Sequence, residues 1–564
     1  MLRLPAELVI AVLKYLPLAN FSNLMSASRE WNDFFQLNQS VLYHNAAVLH
    51  GFTPPSIVYS ELDTLLSRRS LTGVHDWRSF CRRQICIQKS WKGEDSSYVT
   101  SHRLAGIDVH RIKADEQRGF IIVTTSRGGL LVVDLHDDQV LWSLPETYVR
   151  AYAHCEYGAG YLIFDRGGHL GEKEVWRLVD DTHLPPESPT FAFPDEKQQS
   201  VSSHAADSHG FPLQTRGHFR PWAVLQPPAL TRAFRFVYPT LLAATAVSLF
   251  LWDIPSCELH QVIRDTQISS EGVGSDEELG DTNYVEVSSR PDGHVFICGA
   301  SALRVFSRTS GRCVLDVPSS QISYATNTYS FMADESREPE ELPSSVLKPQ
   351  PTAHSLVFPL TGSRRLIDEF IAVHVSGCGS HIAALLASSR LVIIPFFERV
   401  INGEAELRDI AIDIQLGSPI SVGKYLAFEN GRIAVATGTG LFVVALDFES
   451  ARHTMNPPPI SVHRAAWFNS PVALNSISCL QMTATGIFLN WAPGIRDTGR
   501  REYRGDDLWP EVGFEQLFYL SLSEERRLTR LPNGDEVVQL FEPMAVGRRS
   551  SSLFSIDFVP DVSS

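Results

Sequence analysis

The residues whose types and spacing could do chemistry fall into a few groups, and each fits a simpler reading better. Thr437-Gly438-Thr439-Gly440 carries enough glycine to wrap a phosphate. It lacks the Gly-Lys-Ser or Gly-Lys-Thr ending of a phosphate loop and joins two apolar runs, as a hairpin turn does. Ser275-Asp276-Glu277-Glu278 offers carboxylates but not the alternating ligands of a calcium loop, which leaves a solvated acidic loop. His204 and His209 lie in a disordered-looking polar stretch, too irregular for a metal site. Cys81 and Cys86 are the one close pair among eight cysteines, with no second pair to complete a zinc site, so the thiols read as buried and reduced. Arg127, Arg166 and Arg304 would have to converge from separate segments to hold a phosphopeptide. No Gly-x-Ser-x-Gly elbow and no His-Glu-x-x-His is present. The expectation is a protein with no catalytic residue, no cofactor and no metal.

The elements that would position any site come in two kinds. A length of 564 residues, an apolar fraction of 44% and a charged fraction of 20% describe a folded chain of more than one unit. The net charge of −15 and the lack of a clustered Lys/Arg stripe argue against nucleic acid as the main partner, while leaving room for a local basic patch. Leu2 to Leu18 is largely apolar, but Glu7 and Lys14 interrupt it and Pro5 and Pro17 bracket it, unlike a leader peptide. The longest other apolar run, Pro239 to Ile254, is too short to span a bilayer, which needs about 20 residues. Together these predict a chain with no membrane partner, in the cytoplasm or nucleus.

The first kind of element is helical. Pro5 suits a first helical turn, and Ala6 to Leu16 carries Leu8, Val9, Ile10, Val12, Leu13 and Leu16, more apolar surface than one stripe requires. Pro17 ends that helix. Asn20 is placed to cap a second with Phe21, Leu24 and Met25 on one face, and a third carries Trp31, Phe34 and Phe35. Three short helices cannot enclose a core alone, so the surplus predicts a covering surface. Either a foreign subunit supplies it, or the helices cap the rest of their own chain.

Leu4-Pro5-Ala6-Glu7-Leu8, Val12-Leu13, Leu16-Pro17, Phe21, Leu24 and Trp31 follow one another without a gap. This run resembles the F-box motif. Asn20 stands where that family usually has an acidic residue, Phe21 where it has leucine and Ala27 where it has valine. The resemblance covers about 50 residues. It implies an F-box three-helix unit over 1–50 that binds the adaptor subunit of SCF ubiquitin ligases, and through it the cullin and RING subunits. The adaptor-binding residues it implies are Leu4, Pro5, Leu8, Val12, Leu13, Leu16, Phe21, Leu24 and Trp31. A helical linker is expected over 51–98, with a helix over 76–84 bearing Trp77, Phe80 and Cys81 on one face.

The second kind is β. Phe120–Thr125, Leu130–Leu135 and Val140–Leu144, divided by Ser126-Arg127-Gly128-Gly129 and His136-Asp137-Asp138, form a meander of hairpins. Strand pairs recur at 161–164 and 174–179, 241–245 and 249–254, 294–298 and 303–306, 382–386 and 391–394, 432–436 and 441–444, with a weaker seventh at 478–482 and 487–491. Anchors at Asp134, Arg177, Asp253, Phe306, Ile394, Val444 and Asn490 are 43, 76, 53, 88, 50 and 46 residues apart. The long gaps hold polar insertions near 180–210 and 332–351, and a further one lies near 269–283. With these removed the spacing approaches the ~40–50 residues of a propeller blade. Leu251-Trp252-Asp253, Arg290-Pro291-Asp292-Gly293 and Thr309-Ser310-Gly311 are similar to WD-repeat marks. So many short apolar strands must hide their edges, which a closed ring does and a pair of sandwiches does less completely.

The fold class expected is mainly β with an all-α N-terminal module, the β part a seven-bladed WD-like propeller over 99–562. The function expected is the substrate receptor of an SCF-type E3 ligase, with an unknown target protein on the propeller. The alternatives are a non-enzymatic propeller scaffold without a ubiquitin role, and a propeller enzyme with carboxylates or histidines converging in its channel.

Overall fold

The computed structural model describes residues 4–95, 97–102, 108–166, 171–180, 189–269, 273, 277–326, 328–331, 345–347, 350–351, 368–417, 421–448, 460–465, 467–492, 526–530, 536–540 and 551–559. An N-terminal helical module precedes a seven-bladed β-propeller.

The module opens with α1 (Ala6–Leu13), α2 (Ala19–Ala27), α3 (Arg29–Leu37) and α4 (Gln39–Leu49). Pro5 stands immediately before α1, and Ser28 caps α3 by accepting from the Trp31 N–H at 3.2 Å. Asn20 is not the cap expected of it: α2 begins at Ala19, one residue earlier, on the turn that Leu16-Pro17-Leu18 makes. Val9 and Leu13 of α1 pack on Phe21, Phe35, Leu42 and Tyr43. The aromatic rings meet edge to face, Phe21 lying 5.0 Å from Phe35 and 5.4 Å from Tyr43.

That core extends into the next helices. After the short α5 (Leu62–Leu65) and α6 (Arg68–Leu71), α7 (Trp77–Trp91) contributes Trp77, Phe80 and Cys81 to the same cluster. These are the three residues expected on one face. The helix runs seven residues past the predicted stop at 84, because nothing in Gln84–Trp91 breaks it. Asp76 caps it, accepting from the Ser79 N–H at 2.7 Å.

The far end of α7 locks the module to the propeller. Ile87 and Trp91 belong to a propeller core cluster. The Trp91 ring stacks on Phe558 at 3.8 Å, donates from Nε1 to the Ala484 carbonyl at 3.1 Å and lies under the Arg432 guanidinium at 4.7 Å.

Each blade is built on four antiparallel strands ordered outward from the channel, and in blade 5 Thr328–Phe331 adds an outer strand parallel to Ile412–Leu416. The innermost strands are Val109–Asp115, Cys155–Gly158, Ala233–Val237, Thr282–Val287, Phe370–Val375, Gly423–Glu429 and Leu480–Met482, for blades 1 to 7. Each touches the innermost strand of the next blade, and that of blade 7 touches that of blade 1. The ring is closed. Closure in blade 7 uses both ends of the domain: Tyr98–Ser101 pairs antiparallel with Ser552–Asp557 as its outermost strand. The strand at the start of the β domain thereby covers an edge that would otherwise be open.

The expected strand pairs are the second and third strands of blades 1 to 6, and the weaker seventh pair gives the first two strands of blade 7. The insertions differ from expectation. His204 does not lie in a disordered stretch: Glu196–Ser208 is a helix, α8, between the third and fourth strands of blade 2. Asp195 caps it, and Gln198, wholly buried, donates to the Val175 carbonyl at 3.0 Å. Of 332–351, Ser345–Leu347 and Gln350–Pro351 add short strands to blades 6 and 5, and the rest lies outside the described residues.

Candidate functional site

Two surfaces stand out. One is the outer face of α1. Leu8 and Val12, one helical turn apart, are 53% and 45% exposed, while Val9 and Leu13 on the opposite stripe are sealed. Leu4 (48%) and Tyr15 (70%) prolong the outer row beyond both helix ends.

The residues implied by the F-box resemblance therefore divide. Leu4, Pro5, Leu8 and Val12 face outward. Leu16, Leu24 and Trp31 are half-buried against the module core. Leu13 and Phe21 are buried within it, so no partner can touch them in this conformation. The reason is geometric: Val12 and Leu13 are about 100° apart on a helix, and the stripe that holds the helices together cannot also be offered outward.

The other surface is the channel. Its wall carries an ion-pair chain that passes from blade to blade. Lys113 of blade 1 reaches Glu156 of blade 2 at 2.9 Å, and Arg235 of blade 3 reaches the same carboxylate at 3.1 Å. Arg235 also binds Glu286 of blade 4 at 3.0 Å, and His374 Nδ1 of blade 5 meets Glu286 at 2.8 Å. His154 closes on the other Glu156 oxygen at 3.0 Å. Burial alone would raise the Glu156 carboxyl, but Lys113 and Arg235 beside it hold it well below the usual range. Burial likewise opposes ionisation of Glu286, and Arg235 and His374 overcome it. Carboxylates and histidines thus do converge in the channel, as a propeller enzyme would require, but Glu156, Glu286, His154 and His374 are engaged with one another and with Lys113 and Arg235. Glu429, farther along, is pushed upward by burial.

At one mouth of the channel the chain opens into a cavity of about 310 Å³ lined by Arg111, Arg150, Arg232, Lys424, Phe234 and Tyr425 among others. These residues sit at the starts of innermost strands or in the connections leading to them. The helical module touches the opposite face: Trp91 meets Ala484 in the turn between the first two strands of blade 7, and Gln117, in the equivalent turn of blade 1, bonds the Thr64 carbonyl. Cavity and module are on opposite sides of the disc.

The remaining sequence candidates resolve separately. Thr437–Gly440 is a hairpin turn, with Thr437 paired to Gly440. Arg304 is fully buried, its guanidinium 3.4 Å from Asp316 and bonded to the Gln267 and Glu277 carbonyls. Arg166 lines the cavity but is held by Glu172, Glu174 and Asp195. His209 Nε2 lies 2.9 Å from the Ser143 hydroxyl. Ser275 and Asp276 lie outside the described residues. Cys378 is exposed, Cys86 is half-buried and the other six cysteines are buried. Among the described residues no three His, Cys, Asp or Glu side chains are grouped to hold a metal ion, and no helix is long and apolar enough to cross a membrane.

No family model and no curated protein matches the chain. Solved structures similar to it are propeller proteins. Hsv2 of Kluyveromyces lactis is 11% identical, with 63% of this chain and 86% of that chain covered at a TM-score of 0.32. U3-55K is 7% identical, with 81% and 98% covered at 0.40. The β-propeller domain of Myceliophteria thermophila Cps50 (Swd1) is 9% identical, with 70% and 96% covered at 0.37.

Proposed function

We propose that the protein is a non-catalytic interaction scaffold with two docking surfaces, the propeller face bearing the cavity and the outer row of α1. The carrying observation is the split character of α1, whose inner stripe is sealed and whose outer Leu4, Leu8, Val12 and Tyr15 face solvent. Such a row rimmed by polar residues suits a protein partner. The α7 lock through Trp91 and Phe558 fixes one docking surface relative to the other, which is what a scaffold needs.

The run from Leu4 to Trp31 favours a finer reading of the same surface. In it the partner is the SCF adaptor, and the chain is the substrate receptor of an E3 ligase. Catalysis by such a receptor is proximity, since tethering raises the effective concentration of a target lysine near the charged E2. The exposure of Leu4, Leu8 and Val12 supports it.

The test mixes purified full-length chain with purified adaptor, and compares Leu8→Asp/Val12→Asp with the natural chain. Both sites are exposed, so the melting temperature should hold while adaptor affinity falls by roughly 100-fold or more. Absence of adaptor binding by the natural chain ends the ligase reading. If, in addition, mass spectrometry of affinity-purified material shows the same retained proteins for variant and natural chain, the scaffold role of α1 fails too.

A further inference from the structure

The cavity at the channel mouth is cationic in a chain of net charge −15. Six lining residues are Arg or Lys and two are Asp or Glu. Arg166 and Lys173 are committed to neighbouring carboxylates and nearly buried. Of the other four cations, Arg150 and Arg232 are exposed and Arg111 and Lys424 are half-buried, Lys424 with an interaction of its own. Among the described residues Arg111 has no carboxylate partner: it donates to His154 Nδ1 at 3.3 Å and to the His110 and Ser478 carbonyls. Arg150 holds one Asp165 oxygen at 2.5 Å and Lys173 the other at 2.7 Å, so two cations share one carboxylate. Among the described residues Arg232 meets only Asp281, which is 81% exposed and therefore screened by solvent. Burial pushes the His110 imidazole down to about 3, and Arg111, His154 and Arg150 add to that effect.

The four cations come from blade 1, the connections into blades 2 and 3, and blade 6, so they surround the mouth. One carboxylate could satisfy only part of such a ring, whereas adjoining phosphate groups present acceptors in several directions. Phe234 and Tyr425 supply an apolar wall. The volume is at the lower end of the about 300–1,000 Å³ typical of small-molecule sites. We propose that this cavity binds a small polyanion of the phosphate class, independently of what docks on α1.

The experiment is titration calorimetry of the full chain with inorganic pyrophosphate, tripolyphosphate, sulfate and a singly phosphorylated peptide, at low and at physiological salt. Pyrophosphate or tripolyphosphate should bind once per chain and more tightly than sulfate. Arg150→Gln/Arg232→Gln should weaken that binding by about tenfold or more, since each charge-assisted bond is worth about tenfold in affinity. Arg29→Gln, on the exposed helical module, should leave it unchanged. No saturable pyrophosphate or tripolyphosphate binding at low salt overturns the proposal, as does equal binding by the double variant with its fold intact by circular dichroism. Binding of the phosphopeptide alone overturns the small-molecule assignment. Adaptor binding is measured apart, so either result stands without the other.

Discussion

Glu156 is 1% exposed and carries Lys113, Arg235 and His154 on its two oxygens, so removing its charge takes the paired carboxylate from Lys113 and leaves Arg235 with Glu286 alone. Breaking a buried ion pair from one side costs about 3–5 kcal/mol, far more than the pair contributes net. Glu156→Gln, which keeps shape and removes charge, should lower the free energy of unfolding by that order in urea denaturation. A loss under about 1 kcal/mol would mean the chain of ion pairs is dispensable. Little of this is legible in the sequence. Arg304 and Arg166 are both candidate phosphate ligands by type alone, yet the first is a core residue bonded to carbonyls and the second is held by three carboxylates. An arginine's role depends on which acid lies across the blade, and adjacent sequence does not record that.

Among elements, α7 joins two cores. Its first half completes the module with Trp77, Phe80 and Cys81, and its last turn inserts Trp91 between Phe558 and Arg432 of the propeller. Trp91 is wholly buried. Trp91→Ala should destabilise by about 3–5 kcal/mol, as large-to-small changes of buried aromatics do. It should also make the segment near residues 92–102 more susceptible to limited proteolysis than in the natural chain. Unchanged cleavage would show that the module is held by other contacts. The face of α7 is legible because Trp77, Phe80 and Cys81 recur at helical spacing within one element. Its full length is not, and neither is α8, because Glu196–Ser208 has little apolar periodicity and is held by Gln198 reaching carbonyls of blade 2.

For the whole molecule, acid should act through buried histidines. Burial lowers His381 and His463 each to about 4. His381 Nδ1 accepts from the Phe396 N–H at 3.2 Å, so its proton would displace a bond, and its ring stacks on Phe448 at 4.0 Å. Below the ordinary value near 6.5 the unfolded chain gains protons that the folded chain refuses. Stability from each is therefore complete above about pH 6.5 and declines as pH falls toward 4, by on the order of 2 kcal/mol per group at pH 5. Glu116, Glu174, Asp368 and Glu429, raised by burial, act with the opposite sign. The test is thus a difference: His381→Gln should flatten the dependence of unfolding free energy on pH between 6.5 and 5. Parallel curves for variant and natural chain would refute it.

Sequence alone determined everything written in neighbouring residues. Hairpin turns such as Thr437–Gly440, the blade period, the apolar surplus of Ala6–Leu16 and the run from Leu4 to Trp31 all rest on local spacing, and local spacing sets backbone geometry. Only the tertiary structure decided that Leu8 faces outward while Leu13 is sealed, that Tyr98–Ser101 closes blade 7 against Ser552–Asp557, and that Lys113, Glu156, Arg235, Glu286 and His374 form one chain around the channel. Apart from the two faces of α1, these juxtapositions join residues far apart in the chain. They exist because a closed ring brings seven innermost strands together, and a charged side chain's partner is whatever that closure places across from it.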